Sequence, residues 1–203
     1  MPIFLLSPAR CSGKRADLVY SERARFELAV KLRTPQGATL GETFSFLSGL
    51  YFRGKLAYAR ALGSSAYVIT SNRGLLPPEH FITIDDLRAM SSCDIDVTDP
   101  RYRTPLERDL RALLAGATPE TNFVLLGSIA SKKYVDILLD VLGERLLFPA
   151  EFIGRGDMSR GGLMLRHAER KTALTHIPVQ GAVRHGTRPP KLVPRTLSDK
   201  ASG

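Results

Sequence analysis

Short apolar runs alternate with helix-like segments along most of the chain, and this alternation limits the choice of fold more than any other feature. Residues 2–6, 66–70, 122–126 and 145–148 each have the length and apolar content of a buried strand. The segments between them are longer and have apolar residues at helical spacing. A chain that alternates strands with helices forms a sheet with helices packed on it. We therefore predict an α/β fold.

Capping signals and glycines predict where the helices begin and break. Ser21, with an acidic residue directly after it, can cap a helix that runs to about residue 33. Residues 43–62 have helical periodicity with glycine interruptions at Gly49 and Gly54, which predict a broken or kinked helix. Thr104 is followed by a proline and then by a glutamate in the pattern of a capping box, so a helix is expected to begin there.

The C-terminal third carries two further apolar runs and a basic end. Residues 163–167 and 173–179 are spaced like a terminal β-hairpin, which would make the central sheet mixed rather than purely parallel. From Arg184 onward the chain has five Lys or Arg residues, three prolines and few apolar residues, a composition that does not support a core. We expect a mixed central sheet flanked by helices, with a C-terminal hairpin, in a single domain over residues 1–183. A basic flexible tail would follow over residues 184–203.

The chain is strongly basic. Lys and Arg total 29 against 20 acidic residues, which gives a formal net charge of +9 and an isoelectric point near 9.9. Phosphate backbones and anionic lipid surfaces are the usual partners of such a surface, although the alternative is a cytosolic protein that is merely basic. No apolar stretch is long enough to span a membrane and no export signal is visible. We therefore expect no membrane partner and a cytoplasmic, nucleoid-associated location.

The cysteines and histidines do not form a metal or disulfide pattern. Cys11 and Cys93 match no metal-ligand spacing and no disulfide framework, so two small buried thiols are expected. The four histidines are scattered, and no Ser-His-Asp, zinc or paired-carboxylate pattern rises above chance. The sequence therefore predicts neither a metal nor an organic cofactor.

Three predicted strands are followed by turns of the same character, with hydroxyl groups, small residues and one or two cations. Ligands of open α/β sheets bind beyond the carboxyl ends of the strands, and free amides at a helix start favour a phosphate there. The alternative is that these are ordinary polar turns. The candidate anion-binding residues in the turns are Ser7, Arg10, Asn72, Arg73, Ser128, Ser131 and Lys132.

A fourth segment, residues 154–162, contains four glycines, two arginines, one carboxylate and one hydroxyl. Glycines allow a backbone to approach a ligand closely, and Arg155 and Arg160 can bind a phosphate or a base edge. The segment matches neither a dinucleotide fingerprint nor a phosphate-binding P-loop. Asp157 is the candidate catalytic carboxylate of this segment, and the alternative is that it pairs with a neighbouring arginine to stiffen a loop.

Aromatic residues lie among cations in residues 51–60, where bases could stack on rings while cations hold phosphate. Tyr51 and Arg53 are the candidate contacts. The alternative is that Phe44, Leu47 and Tyr51, which lie at helical spacing, belong to the core.

Five segments, in the same order, resemble motifs of the YaaA family of peroxide-stress proteins and its shorter uncharacterised relatives. Residues 5–10 (LLSPAR) are similar to the family's opening strand and Ser-Pro-Ala turn, and residues 48–54 (SGLYFRG) to its glycine-tyrosine-glycine helix segment. Three later segments are similar to its glycine-leucine-proline turn, its Leu-Ala-Ser-x-x-Tyr helix start and its Arg-Gly-x-Met-x-Arg motif: residues 71–77 (SNRGLLP), 129–134 (IASKKY) and 155–160 (RGDMSR).

This chain also departs from the family pattern. Arg10 stands where a lysine is usual, Asp157 replaces an apolar residue, the connecting segments are shorter and the basic tail is additional. The resemblance implies a DNA-binding α/β protein with a basic cleft and a fold likened to DNA glycosylases. It supplies no catalytic residue that can be carried over to this sequence.

The basic surface, the small-residue turns and the carboxylate at Asp157 together favour a DNA N-glycosylase, a hydrolase that excises a damaged or modified base. Its role would be DNA repair or defence against modified virus DNA. One alternative is a non-catalytic DNA-binding protein of the oxidative-stress response. The other alternative is a hydrolase or transferase that acts on a small nucleotide. Such an enzyme would have one deep pocket and would not need an extended basic stripe.

Overall fold

The chain folds around a six-stranded mixed sheet, in a computed structural model that describes residues 1–63, 65–130 and 132–192. Two further strands form a separate two-stranded sheet. The strands are β1 (Ile3–Leu6), β2 (Ala38–Thr39), β3 (Ala66–Ile69), β4 (Leu75–Leu76), β5 (Phe81–Ile82), β6 (Phe123–Leu126), β7 (Leu146–Pro149) and β8 (His176–Pro178).

The strand order in the large sheet is β4-β3-β1-β6-β7-β8. The four inner strands β3, β1, β6 and β7 are parallel, whereas β4 and β8 run antiparallel at the two edges. The central strand β1 aligns its Leu5 with Tyr67 of β3 on one side and with Leu125 of β6 on the other. The prediction of an α/β fold with a mixed central sheet flanked by helices is therefore confirmed.

Helices cover both faces of the sheet. Alternate side chains of β1 point to opposite faces, so Phe4 and Leu6 belong to one apolar cluster and Leu5 to the other. The helices are α1 (Lys14–Tyr20), α2 (Glu27–Leu32), α3 (Leu40–Ser48), α4 (Leu50–Ala61), α5 (Ile84–Ser91), α6 (Pro100–Gly116), α7 (Lys132–Leu142) and α8 (Asp157–Arg170). Buried residues of α1 to α5 and of α8 pack with Phe4, and those of α6 and α7 pack with Leu5.

The broken helix is confirmed at Gly49, whereas the interruption predicted at Gly54 is wrong, because Gly54 lies within the continuous helix α4. Gly49 ends α3 and begins α4 with φ 61°, a conformation that a residue with a side chain rarely adopts. A Cβ at this position would also lie 2.7 Å from Nη1 of Arg15. The chain therefore turns at Gly49, and the first turn of α4 follows directly.

Two predicted helix starts are wrong. Ser21 does not begin a helix but ends α1, because its backbone N–H donates to the Asp17 carbonyl. The next helix, α2, begins only at Glu27. Thr104 lies inside α6, which starts one turn earlier because Asp99 caps it and Pro100 occupies its first position.

The predicted C-terminal hairpin is wrong as well. Residues 163–167 continue α8, and β8 pairs antiparallel with β7 although α8 separates the two strands in the chain. The glycine-rich segment is therefore the start of a helix rather than a loop. Its two last glycines lie within α8, and at Gly161 a close backbone contact with α4 compensates for the low helix propensity of glycine.

Residues 184–192 contact the body of the domain. Arg184 Nη1 lies 3.4 Å from Asp136 Oδ1, and Arg155 Nη1 donates to the Pro190 carbonyl at 3.4 Å. The remainder of the predicted tail, residues 193–203, lies outside the described residues. Within the described part of the chain, no helix combines the length and the apolar character needed to cross a membrane.

Candidate functional site

The candidate site lies where the chain leaves β1 and β6 at their carboxyl ends. From β1 the chain continues to β3 on one side, and from β6 it continues to β7 on the other, so the two connections diverge. Divergent connections of this kind open a crevice in which α/β proteins bind ligands. Ser7 follows β1 and Gly127 follows β6, and a Cβ on Gly127 would lie 2.8 Å from the Cβ of Ser7. Only a glycine allows the two strand ends to approach so closely.

A cavity of about 650 Å³ opens at this crevice. Its volume lies within the range of pockets that hold a small organic ligand. Charged groups in its wall are Arg10, Asp94, Lys133 and Asp157, and two tyrosines, Tyr51 and Tyr134, also line it. Six serines contribute hydroxyl groups to the rest of the wall, beside apolar residues such as Phe44 and Met90: Ser7, Ser12, Ser48, Ser71, Ser91 and Ser128. Such a wall suits a polar ligand with many hydrogen-bonding groups.

Five residues from the sequence-based site prediction meet in this cavity: Ser7, Arg10, Tyr51, Ser128 and Asp157. The predicted convergence of the β1 and β6 turns is therefore observed. Arg53 and Lys132 do not line the cavity, and both are exposed. The remaining predicted residue of the β6 turn, Ser131, lies outside the described residues.

The β3 turn contributes less than predicted, because its cation is engaged elsewhere. Arg73 forms an ion pair with Asp86, which also belongs to the capping box of α5 with Thr83. The pair fastens the turn to the start of α5. Asn72 does not line the cavity, and its Oδ1 is buried without a hydrogen-bond partner among the described residues.

The two arginines of the glycine-arginine segment have different surroundings. Arg160 is buried and donates to the Phe152 carbonyl from Nε at 3.3 Å and from Nη2 at 3.2 Å. Arg155 donates from Nε to the Glu151 carbonyl at 2.9 Å and from Nη1 to Ser159 Oγ at 3.2 Å. It lines a second, smaller cavity of about 270 Å³ together with Arg188, Lys191 and Met158. A basic surface therefore lies next to the start of α8.

Asp157 occupies the first residue of α8, between the two cavities. Its side chain is 65% exposed, and Oδ1 lies 3.3 Å from Nη1 of Arg160. The ion pair that the sequence left open as an alternative is thus present. It orients the carboxylate from the protein side, while the exposed remainder of the side chain lines the larger cavity.

Lys55 is a residue of the site that sequence reasoning missed. It lies on α4 and is 0% exposed, directly behind Ser7. Its Nζ donates to the Ser7 carbonyl at 2.9 Å and to Ser7 Oγ at 2.7 Å, and it lies 3.9 Å from the centre of the Tyr51 ring. Burial lowers the pKa of Lys55 to about 7; the Asp157 carboxylate opposes this shift and the Arg160 guanidinium adds to it. The signal in the sequence was a lysine four residues after Tyr51, on the apolar side of the predicted helix.

Tyr134 completes the surroundings of Ser7 from α7. Its hydroxyl donates to the Ser128 carbonyl at 3.0 Å, and Ser7 lies close enough to lower its pKa against the effect of burial. Burial raises the pKa of Tyr134 and, more strongly, that of Tyr51. Both phenols therefore keep their protons near neutral pH and act as neutral hydrogen-bonding groups. Ser7 is thus held between a lysine, a tyrosine and the glycine of the neighbouring strand end.

Searches of protein-family models, of curated proteins and of solved structures gave no match to the chain. The resemblance to the YaaA family therefore stays a prediction that depends on the five motifs alone. Among the described residues, no group of three or more His, Cys, Asp or Glu side chains is arranged to hold a metal ion. The buried cysteines, Cys11 and Cys93, both line the larger cavity.

Proposed function

We propose that this protein is a DNA N-glycosylase, which takes one extruded nucleotide into the larger cavity and hydrolyses the bond between its deoxyribose and a damaged or modified base. The observation that carries the proposal is the position of Asp157. This carboxylate lies at the wall of a hydroxyl-lined cavity and directly beside a basic surface. A site that grips phosphate alone has no use for an acid in that position, because the acid repels the ligand.

The size of the cavity supports a single nucleotide as the bound unit. A volume of about 650 Å³ is large enough for a base with its sugar, and a recessed cavity receives a base only after it is separated from its stacked neighbours. A base within a duplex would therefore have to leave the stack to reach Asp157, as enzymes that act on bases require. The serine hydroxyls and the Tyr51 and Tyr134 side chains would then contact the sugar and the base.

The basic surface beside α8 supports a polymeric substrate. The second cavity includes Met158, the residue that follows Asp157, in its wall. Three cations line the same cavity: Arg155, Arg188 and Lys191. Phosphates on either side of an extruded nucleotide need cations just outside the base pocket, which is where these residues lie. The resemblance to the YaaA family, which implies DNA binding and a fold likened to DNA glycosylases, agrees with this arrangement. A DNA substrate would in turn bring the protein to the nucleoid.

In the proposed reaction the C1′–N bond breaks, a positively charged sugar forms, and water adds to C1′. The Asp157 carboxylate stabilises the cationic sugar and orients the water. Arg160 keeps the carboxylate in place through the contact at 3.3 Å. The products are an abasic site and the free base, so the reaction consumes one water molecule and requires no cofactor. Repair of damage and defence against modified virus DNA would use the same chemistry.

A second candidate is a hydrolase or transferase that acts on a small nucleotide. The observation in its favour is that the hydroxyl groups converge on one cavity rather than along an open groove. Such an enzyme would need the cavity but not the basic surface around Arg155. The two candidates therefore differ in whether a nucleotide is attacked free or within DNA.

The test is to incubate the protein with modified and unmodified DNA, in single and double strands, and in parallel with the matching free nucleotides. Abasic sites are detected as strand breaks after alkali, and released bases by mass spectrometry. The proposal expects base release from modified DNA. Release from free nucleotides alone would replace it with the second candidate. Salt-sensitive DNA binding without any release would leave a non-catalytic DNA-binding protein.

A further inference from the structure

Lys55 is a buried lysine whose two hydrogen bonds to described residues both lead to Ser7. Its side chain is 0% exposed, so it cannot touch a ligand. Both of its hydrogen bonds end on Ser7, one on the carbonyl oxygen and one on Oγ. A carbonyl oxygen has no proton to pass on, whereas a hydroxyl can accept one proton and give another. Because Ser7 lines the cavity, its hydroxyl connects Lys55 with whatever the cavity holds.

The surroundings of Lys55 accommodate an ammonium group without an anion. Two of its three N–H donors reach Ser7, and the Tyr51 ring lies 3.9 Å from Nζ, a cation–π distance. Among the described residues no carboxylate forms an ion pair with Lys55. Its pKa of about 7 allows it to hold and to release a proton under the same conditions. A lysine that was buried only to fill space would need neither the contacts of Nζ with Ser7 and the Tyr51 ring nor a pKa near neutrality.

The titratable and charged groups around Lys55 belong to three helices. Tyr51 lies on the same helix as Lys55, and Asp157 and Arg160 lie on α8. Tyr134 of α7 lies next to Ser7, the residue to which Lys55 donates. The phenols stay protonated near neutral pH, because burial raises the pKa of both. The Asp157 carboxylate raises the pKa of Lys55, so the group proposed to stabilise the sugar also helps to keep Lys55 protonated.

We propose that Ser7 and Lys55 form a proton relay that protonates the departing base. As the C1′–N bond breaks, its electron pair goes to the base, and the Ser7 hydroxyl gives its proton to that base. The Lys55 ammonium replaces the proton on Ser7 Oγ and becomes a neutral amine. Water then adds its hydroxide to C1′, and its remaining proton reloads Lys55 through Ser7. This relay rests on the proposed glycosylase function: Ser7 would be the catalytic residue of the pair, and Lys55 acts through it.

The relay is tested with two leaving groups in single-turnover reactions. One probe is the modified oligonucleotide that is cleaved in the abasic-site assay. The other is an oligonucleotide with 4-nitrophenol on C1′ of one deoxyribose, since nitrophenolate leaves without a proton. We expect Ser7→Ala and Lys55→Met to slow release of the base by about a hundredfold or more and release of nitrophenolate by less than about threefold. Equal losses on both probes would overturn the relay and leave Ser7 and Lys55 as structural groups.

The pH profile gives a second readout. Release of the base by the unmodified protein should slow as pH rises through about 7, because Lys55 then loses the proton that the relay supplies. Release of nitrophenolate needs no proton, so its rate should not decrease over the same pH range. A base-release rate that stays level over this range would overturn the relay. Absence of release from both probes would overturn the proposed function itself, and the relay step with it.

A direct titration of Lys55 tests the coupling between Lys55 and Ser7 without an activity assay. Lys55 is followed through the ¹³Cε resonance of the folded, isotope-labelled protein and assigned with Lys55→Met. We expect a titration near pH 7 that shifts in Ser7→Ala and moves to lower pH in Asp157→Asn, since a neighbouring negative charge has then been removed. A Lys55 that titrates near its ordinary value of 10.5 would overturn the relay.

Discussion

Gly54 of α4 and Gly161 of α8 face each other with their backbones in contact. A Cβ on Gly54 would lie 2.6 Å from the carbonyl oxygen of Gly161, and a Cβ on Gly161 would lie 2.6 Å from the carbonyl oxygen of Leu50. Helices approach so closely only when the residues between them have no side chain. The contact fixes the start of α8, which carries Asp157, against the helix that carries Lys55.

We predict that Gly161→Ala destabilises the protein by roughly 1–3 kcal/mol, because the added methyl group meets rigid backbone atoms on α4. Gly162→Ala is the matched control, since its Cβ would meet only the end of the Leu192 side chain at 3.4 Å. Alanine also has the higher helix propensity, so the control should be neutral or slightly stabilising. Urea denaturation measures both variants. Equal stabilities would show that the α4–α8 contact tolerates a side chain.

The sheet could be predicted from the sequence, whereas α8 could not. The inner parallel strands are buried on both faces and therefore consist of unbroken apolar residues, as in Phe123–Leu126. Glycines near the start of α8 weaken its helical pattern, and the reason for Gly161 is a contact with α4, which is distant in sequence. An antiparallel strand within residues 173–179 was expected, but its partner was predicted to be residues 163–167, which belong to α8, and not β7.

The site was predicted in part for a similar reason. Turns after neighbouring parallel strands must meet at one edge of the sheet, so Ser7 and Ser128 could be placed together from the sequence. Arg73 could not be excluded in advance, because its partner Asp86 belongs to another element. Lys55 lies in the segment of residues 51–60, where the sequence predicts aromatic residues among cations that hold phosphate. Only its spacing from Tyr51 indicated that it faces inward.

A pH dependence of stability follows from the burial of Lys55. The folded protein loses this proton near pH 7, whereas the unfolded chain keeps it up to about 10.5, so the unfolded state binds more protons between these values. The contribution of Lys55 to the free energy of unfolding therefore rises with pH, by up to about 1.4 kcal/mol per pH unit. Between about pH 7.5 and pH 9, the free energy of unfolding should rise by about 2 kcal/mol more than in Lys55→Met.

Chemical denaturation of both proteins at the two pH values checks this prediction. The exposed Lys14 supplies the control, because Lys14→Met should keep the pH dependence of the unmodified protein. A constant difference between the unmodified protein and Lys55→Met would mean that Lys55 keeps an ordinary pKa in the folded state.

DNA affinity should fall steeply with salt. If the basic surface around Arg155, Arg188 and Lys191 contacts several phosphates, binding releases condensed counterions. We expect the dissociation constant to rise roughly tenfold or more between about 50 and 200 mM salt. Fluorescence anisotropy with a labelled oligonucleotide measures it. A nearly flat salt response would remove DNA as the substrate and leave the small-nucleotide candidate.

The contacts of residues 184–192 divide the basic C-terminal segment into two parts. Removal of residues 193–203 should leave the melting temperature unchanged and weaken DNA binding only modestly, through lost nonspecific attraction. Removal of residues 184–203 also breaks the contacts of Arg184 with Asp136 and of Pro190 with Arg155. It should lower the melting temperature by about 2–4 °C, which corresponds to roughly 1 kcal/mol. If both truncations melt at the same temperature, residues 184–192 add nothing to the stability of the domain.

Asp157→Asn separates an enzyme from a binding protein, because the two possible roles of this carboxylate respond differently to loss of its charge. As a structural partner of Arg160, an exposed acid contributes only about 0–1 kcal/mol, and its replacement should change activity little. As the group that faces a cationic sugar, it is required in the transition state but repels the phosphates of the bound DNA. Base release should then drop by about a hundredfold or more while DNA affinity stays level or rises. Asp85→Asn is the control, since Asp85 is also an exposed acid in the first turn of a helix but lies on α5, outside the cavity wall. Single-turnover base release and anisotropy are measured on the same preparations, and full activity of Asp157→Asn would end the catalytic assignment while leaving DNA binding intact.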